Sequence, residues 1–228
     1  MTLTQYEEKK RERLHAAWSP RRICVNCRKP VALCFCSLLR PFESKPEFVI
    51  LIHRDEILKS VATGRMSHLS LTNSLFFKGT DFTHHEGVNK IIHDPNIFPV
   101  LLYPSFGATN LSELSSEKRS AFFPSDKRLV LFIIDATWGV SKRMRRLSQN
   151  LASLPAVCFT PPSKSRFIVR RQPHPKCYST IESIHHIIEL FNEGGETRHR
   201  NLIDILDVMV AQQLFFENET RQRRRACR

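Results

Sequence analysis

Glycine is scarce in this chain, at 7 of 228 residues. There is no Gly-x-Gly-x-x-Gly and no phosphate loop, which argues against a dinucleotide fold and against a nucleoside triphosphatase. Long apolar runs are missing as well, since none approaches the ~18 residues of a membrane-spanning helix. The opening stretch Met1 to Lys10 lacks the apolar segment of a secretory signal, so a cytoplasmic protein is expected. No Gly-x-Ser-x-Gly elbow occurs, and hydrolase chemistry has no local support although Ser, His and Asp are all present. No internal repeat is found. Negative charge is in the minority, with 22 Asp and Glu against 35 Lys and Arg, a formal net charge of +13. Such an excess suits a polyanionic partner, and RNA, DNA and an anionic membrane all fit it.

The hydrophobic fraction of 41% and charged fraction of 25% are those of a soluble globular protein. The length allows one well-filled core, or one main domain with a small appendage. Basic residues cluster at Lys9 to Arg13, at Arg21 and Arg22, at Lys142 to Arg146, at Arg166 to Arg171 and at Arg221 to Arg228, the last read as a solvated tail.

Four of the seven cysteines lie between Cys24 and Cys36. In a reducing compartment their spacing, Cys24-x-x-Cys27 and Cys34-x-Cys36 across a short loop, favours one tetrahedral Zn²⁺ over disulfides. With four protein ligands, no position stays open for water, so the metal is structural. His84 with His85, and His185 with His186, are sequence neighbours rather than i, i+4 pairs, and no second metal site is expected.

The most informative stretch runs from Arg128 to Trp138. Six consecutive apolar residues rich in β-branched types end in a carboxylate, the pattern of a strand buried on both faces that delivers Asp135 to its carboxyl-terminal tip. In open α/β sheets such tips face the ligand. A plainer reading stands beside it: Asp135 or Thr137 caps the following helix and Trp138 packs in the core. Along the rest of the chain, Thr4 to Trp18 reads as a charged helix and Glu47 to Ile52 as a buried strand. Ile57 to Leu75 is helical in period, with a break at Thr63-Gly64-Arg65, and Phe76-Phe77 suggests a strand. Val88 to His93 is a short helix, Phe98 to Leu102 a strand, and Gly107 to Asp126 loop-like. A helix from Gly139 to Leu151, a strand at Ala156 to Phe159 and a basic loop from Pro161 to Tyr178 follow. Ser179 opens a helix with a capping box through Glu182, and Arg198 to Gln222 forms a final helix. Strands and helices alternate, so the expected fold is α/β with a mostly parallel sheet and helices on both faces.

Taken in order, Cys24-x-x-Cys27 with Cys34-x-Cys36, Thr63-Gly64-Arg65, Pro99 to Ser105, Asp135-Ala136-Thr137-Trp138, Ser165-Arg166 and Ser179-Thr180-Ile181-Glu182 resemble the DTW-domain family, a SPOUT-related group of aminocarboxypropyltransferases acting on RNA uridines. Two positions depart from the family's usual pattern: His53-Arg54 replaces His-Pro, and Ala62-Thr63-Gly64 replaces Asn-Thr-Gly. The resemblance implies a SPOUT-like knotted α/β core. It divides the chain into an N-terminal helix and four-cysteine zinc-binding element over 1–46 and a catalytic domain with a basic C-terminal helix over 47–228. It also implies transfer of the 3-amino-3-carboxypropyl group from S-adenosylmethionine to N3 of a tRNA uridine, with methylthioadenosine released. Asp135 is then the base. Thr63, Gly64, Leu102, Tyr103, Pro104, Ile134, Ala136, Thr137, Trp138, Ser179 and Thr180 hold the donor, and Trp138 either stacks on a base or walls the pocket. Arg143, Arg146, Arg166, Arg170 and Arg171 grip RNA phosphates. The expected partner is tRNA, with no membrane and no obligate protein partner evident. The alternatives weighed are a SPOUT-type RNA methyltransferase, an aminocarboxypropyltransferase of ribosomal RNA, and a non-catalytic zinc RNA-binding module.

Overall fold

The computed structural model describes residues 22–59, 61–170, 172–192 and 195–226. Six parallel strands form a single sheet in the order β2-β1-β5-β3-β6-β4. They are β1 (Glu47–His53), β2 (Leu75–Gly79), β3 (Ile97–Leu102), β4 (Thr109–Asn110), β5 (Arg128–Asp135) and β6 (Ala156–Cys158). The described α-helices are α1 (Thr63–Ser70), α2 (Glu86–Ile92), α3 (Ser116–Phe122), α4 (Trp138–Leu147), α5 (Gln149–Ala152), α6 (Thr180–Phe191) and α7 (Asn201–Ala226).

The centre of the sheet explains its unbroken apolar sequence. Strand β5 lies between β1 and β3, with Ile52 paired to Asp135 and Leu102 to Ile133. Both of its faces are covered, as a parallel strand requires. On one face Leu131 and Ile133, with Phe48, Ile50 and Val100, pack into the cluster that holds Met66 of α1, Ile184 and Ile188 of α6, and Ile205 and Met209 of α7. On the other face Val130 and Phe132, with Val49, Leu51 and Leu101, meet Val88 and Ile91 of α2, Met144 of α4 and Leu151 of α5. Helices therefore cover both faces, as the alternation of elements implied. Cys27, Phe35 and Phe42 of the cysteine-rich segment are buried in the same cluster as α6 and α7.

Several boundaries differ from those the sequence suggests. The segment 57–75 is not one broken helix: a 3₁₀ turn spans Glu56–Leu58, α1 begins at Thr63, and Leu75 already belongs to β2. Thr63 and Gly64 are buried at the start of α1, so the break falls before them, where the chain approaches β5. The segment 107–126, expected as loop, contains β4 and α3, the latter capped by Ser115 Oγ accepting from the Lys118 N–H at 3.3 Å. That cap is a short local signal that apolar periodicity does not reveal. The helix expected from Gly139 begins one residue earlier, with Trp138 as the first residue of α4. The helix expected to reach Leu151 is interrupted at Ser148, whose buried Oγ accepts from the Phe82 N–H at 3.0 Å; a serine that bonds elsewhere competes with continued helix. Residues Arg198–Arg200 form a 3₁₀ turn ahead of α7, and α7 extends through much of the arginine-rich end that reads as a tail. The charged helix expected over Thr4 to Trp18 lies outside the described residues.

Candidate functional site

Asp135 sits at the tip of β5, 7% exposed, and both carboxylate oxygens are engaged from separate helices. Oδ2 accepts the Gly64 N–H at 3.2 Å, in the first turn of α1. Oδ1 accepts the Thr180 hydroxyl at 2.6 Å, in the first turn of α6. The carboxylate thus faces the amino ends of two helices, whose free N–H groups and dipoles favour negative charge. Burial works against it, pushing the Asp135 carboxyl up from 3.8 to about 6; Glu56 adds to that rise, while Thr180, Arg170 and the Gly64 N–H oppose it. Glycine at 64 is required by space, since a Cβ there would come within 2.4 Å of Asp135 Oδ2. Thr137 occupies the position before α4 but makes no side-chain cap bond, so capping does not account for it.

A cavity of about 560 Å³ opens at this tip, within the usual range for small-molecule sites. It is walled by the segments that follow β3, β5 and β6. Leu102, Tyr103 and Pro104 come from the first, Ile134 to Trp138 from the second, and Thr63, Ser179 and Thr180 from the starts of α1 and α6. Gly64 lies behind Asp135 and reaches the site through its N–H. Trp138 is half-buried and tilted against Tyr103, ring centres 6.5 Å apart. On Tyr103, the Arg145 guanidinium lies 5.3 Å from the ring centre. The Tyr103 hydroxyl is buried and has no hydrogen-bond partner among the described residues.

The third wall is the loop between β6 and α6, fixed at two points that the sequence did not announce. Glu182 is buried, and its carboxylate accepts from Ser179 N and Oγ, from Ser165 Oγ at 2.8 Å and from Arg166 N at 2.6 Å. The residue that closes the capping box therefore also anchors Ser165-Arg166. Further along, Arg170 lines the cavity and donates from Nη2 to the buried Glu56 carboxylate at 2.8 Å, while Lys59 approaches the other oxygen at 2.5 Å. Desolvation would raise the Glu56 carboxyl, but bonding to Lys59 and Arg170 outweighs it and holds the group below its usual range. Nothing in the local pattern around Glu56 marks it for this role.

The other arginines are dispersed. Arg143 and Arg146 project from the exposed side of α4, Arg166 is tied to Asp207 of α7 at 2.6 Å, and Arg171 lies outside the described residues.

The cysteine segment folds as a compact knuckle. Cys24 Sγ and Cys36 Sγ are 3.8 Å apart, Cys27 Sγ and Cys34 Sγ 3.7 Å, and all four sulfurs lie within 4.8 Å of one another. Tetrahedral zinc with Zn–S near 2.3 Å places sulfurs about 3.8 Å apart, so the four residues fit the metal. Arg28, next after the Cys-x-x-Cys turn, adopts φ 62°, and its N–H closes the turn onto the Cys24 carbonyl at 2.9 Å. Backbone bonds from Cys27 and Asn26 hold the Cys24 thiol down to about 6, whereas burial pushes Cys27 and Cys36 up. A divalent cation offsets that cost of ionising thiols away from water.

A second group of side chains able to hold a metal ion, not expected from the sequence, is formed by His185, Glu189 and His199. Spacing between histidines alone does not reveal it. Glu189 is the i+4 partner of His185, and His199 arrives from beyond the end of α6.

Residues 21–214 match the family described as DTW domain. The chain is 29% identical over 201 residues to the tRNA-uridine aminocarboxypropyltransferase 2 of Drosophila melanogaster, covering 85% of this chain and 76% of that protein. It is 28% identical over 214 residues to the tRNA-uridine aminocarboxypropyltransferase A of Arabidopsis thaliana, covering 83% and 80%. A mouse tRNA-uridine aminocarboxypropyltransferase 2 is 26% identical over 169 residues, covering 70% of this chain and 53% of that protein. No solved structure matches.

Proposed function

Because the chain belongs to the DTW-domain family, we propose that it is a tRNA-uridine aminocarboxypropyltransferase, moving the 3-amino-3-carboxypropyl group of S-adenosylmethionine to N3 of a uridine in tRNA. The observation that carries this reading is the placement of Asp135: one buried carboxylate, at the tip of the central strand, in a cavity walled by three strand-following segments. The same reading carries a SPOUT-like knotted core in which those three segments hold the donor. The cavity's size fits a small-molecule donor.

When bound, S-adenosylmethionine supplies a sulfonium that makes its attached carbons electrophilic. The rest of the chemistry belongs to the protein. Asp135 accepts the N3 proton of uridine; although each of its oxygens already takes one hydrogen bond, a carboxylate oxygen retains a further lone pair. Freed of its proton, N3 bonds to the carbon next to sulfur as the carbon–sulfur bond breaks, and methylthioadenosine departs with that electron pair. Gly64 and Thr180 hold Asp135 in line, and Arg170, pinned by Glu56, offers a cation to the carboxylate of the aminocarboxypropyl group. Which sulfonium carbon reacts is a matter of orientation, the kind of effect that a rigid cavity supplies. Trp138 forms one side of the space into which the pyrimidine enters, and a uridine in a loop is more accessible than one in a duplex. Arg143 and Arg146, exposed on α4, contact phosphates. Cys24, Cys27, Cys34 and Cys36 hold a structural Zn²⁺.

The by-product decides the reaction. Incubating the full chain with tRNA and S-adenosylmethionine is expected to yield methylthioadenosine in equal amount to modified uridine. Release of S-adenosylhomocysteine instead would overturn aminocarboxypropyl transfer in favour of methylation.

A further inference from the structure

His185 and Glu189 stand one turn apart on the same face of α6, where i and i+4 side chains meet. His199 comes from the short turn at Arg198–Arg200 that precedes α7. Its side chain is 2% exposed, and its Nε2 lies 2.7 Å from Glu189 Oε1. His185 Nε2 points to that same oxygen from 4.0 Å, and the two imidazole centres are 5.0 Å apart. A single hydrogen bond from His199 to Glu189 would be enough to dock the turn against α6. It leaves unexplained why a second imidazole converges on the same carboxylate oxygen.

We propose that His185, Glu189 and His199 form a second metal site, separate from the cysteine cluster, for a zinc-class divalent cation. Two imidazoles and one carboxylate are a borderline donor set, suited to Zn²⁺ or Co²⁺ rather than to Mg²⁺ or Ca²⁺, which prefer oxygen alone. Tetrahedral zinc with N and O ligands near 2.0–2.1 Å separates its ligand atoms by about 3.4 Å. The close His199–Glu189 pair must open slightly to reach that spacing and His185 must move closer, and the exposed Glu189 side chain, at 41%, can make most of that adjustment. Water completes the coordination. Of the cations nearby, Arg166 is neutralised by Asp207 and Arg200 is exposed. The consequence is structural: the metal fastens α6 to the turn before α7, and α6 is the helix whose first turn presents Thr180 to Asp135 and Glu182 to the cavity loop.

Metal counting tests this without reference to activity. The purified full chain is equilibrated with Zn²⁺, desalted and analysed for metal per chain, with His185→Gln and Cys24→Ser variants alongside. Two equivalents are expected in the parent chain, one in each single variant, and none in the double variant. With Co²⁺, the equivalent lost in His185→Gln should lack the intense sulfur-to-cobalt absorption that the cysteine site gives. Saturating the second site should raise the melting temperature of the parent by about 5–10 °C and leave His185→Gln unmoved. Should His185→Gln fold poorly, Glu189→Gln serves instead, its side chain being 41% exposed. One equivalent only in the parent at saturating Zn²⁺, or an undiminished second equivalent in both the His185 and Glu189 variants, would overturn the proposal.

Discussion

At the scale of single residues, the proposed role of Asp135 as base makes the fate of its one proton a link between stability and catalysis. Its carboxyl is raised to about 6 in the fold, against 3.8 for the free group. Between those values the folded chain binds more protons than the unfolded one, so stability falls as pH rises through this window. The difference amounts to about 3 kcal/mol of opposed ionisation at neutral pH. Asp135→Asn is therefore expected to melt higher than the parent at pH 7.5 and to lose that advantage below pH 4, as thermal denaturation across pH would show. The same substitution should lower kcat by about 10²–10⁴ while leaving tRNA affinity intact. For the parent enzyme, kcat/KM should climb with pH through about 6 as the base ionises; a flat profile there would assign the proton to another group. The motif Asp135-Ala136-Thr137-Trp138 showed in the sequence because a carboxylate that ends an apolar run is conspicuous. That the starts of α1 and α6 hold it did not show, since Gly64 and Thr180 lie 71 and 45 residues away along the chain.

At the scale of elements, the loop between β6 and α6 matters most, because its described residues form no helix or strand and, beyond a few backbone bonds such as Ser165 N–H to the Pro175 carbonyl, it is positioned by side chains. Glu182 fixes its start and Glu56 holds Arg170 further on. Removing Arg170 leaves Glu56 buried with Lys59 alone. Arg170→Ala is thus expected to cost about 1.5–3 kcal/mol in denaturant titration, since bonds to charged groups are worth that much. It should also weaken binding of S-adenosylmethionine, measured by calorimetry, more than binding of tRNA. The helix α4 behaves differently. Arg143 and Arg146 are exposed on it, so replacing both with Ala should leave donor binding unchanged and reduce the salt slope of tRNA affinity by about 2. Arg145, which lies between them, turns instead toward the Tyr103 ring, a division of labour that charge counting cannot resolve.

At the scale of the whole molecule, the cysteine knuckle and the sheet share one interior. Cys27, Phe35 and Phe42 are buried with residues of α6 and α7, so a zinc held at the knuckle would support the main core as well as its own loop. Cys24→Ser should lower the melting temperature by about 5 °C or more and keep a single cooperative transition, as followed by circular dichroism. Two separate transitions would mean that the knuckle folds independently. Among the described residues no helix is long and apolar enough to cross a membrane, in keeping with the lack of long apolar runs.

The α/β alternation, the central strand, the four-cysteine cluster and the Asp135 tip were all determined by sequence alone, because each is a local pattern: a period, a spacing, or an abrupt change from apolar to charged. Tertiary structure alone decided which distant groups meet. It set Gly64 and Thr180 on Asp135, Glu56 on Arg170, Glu182 on the cavity loop, and His199 beside His185 and Glu189. Those contacts depend on how the strands are ordered and how the helices pack across the sheet, and that arrangement leaves no periodic trace in the residues it brings together.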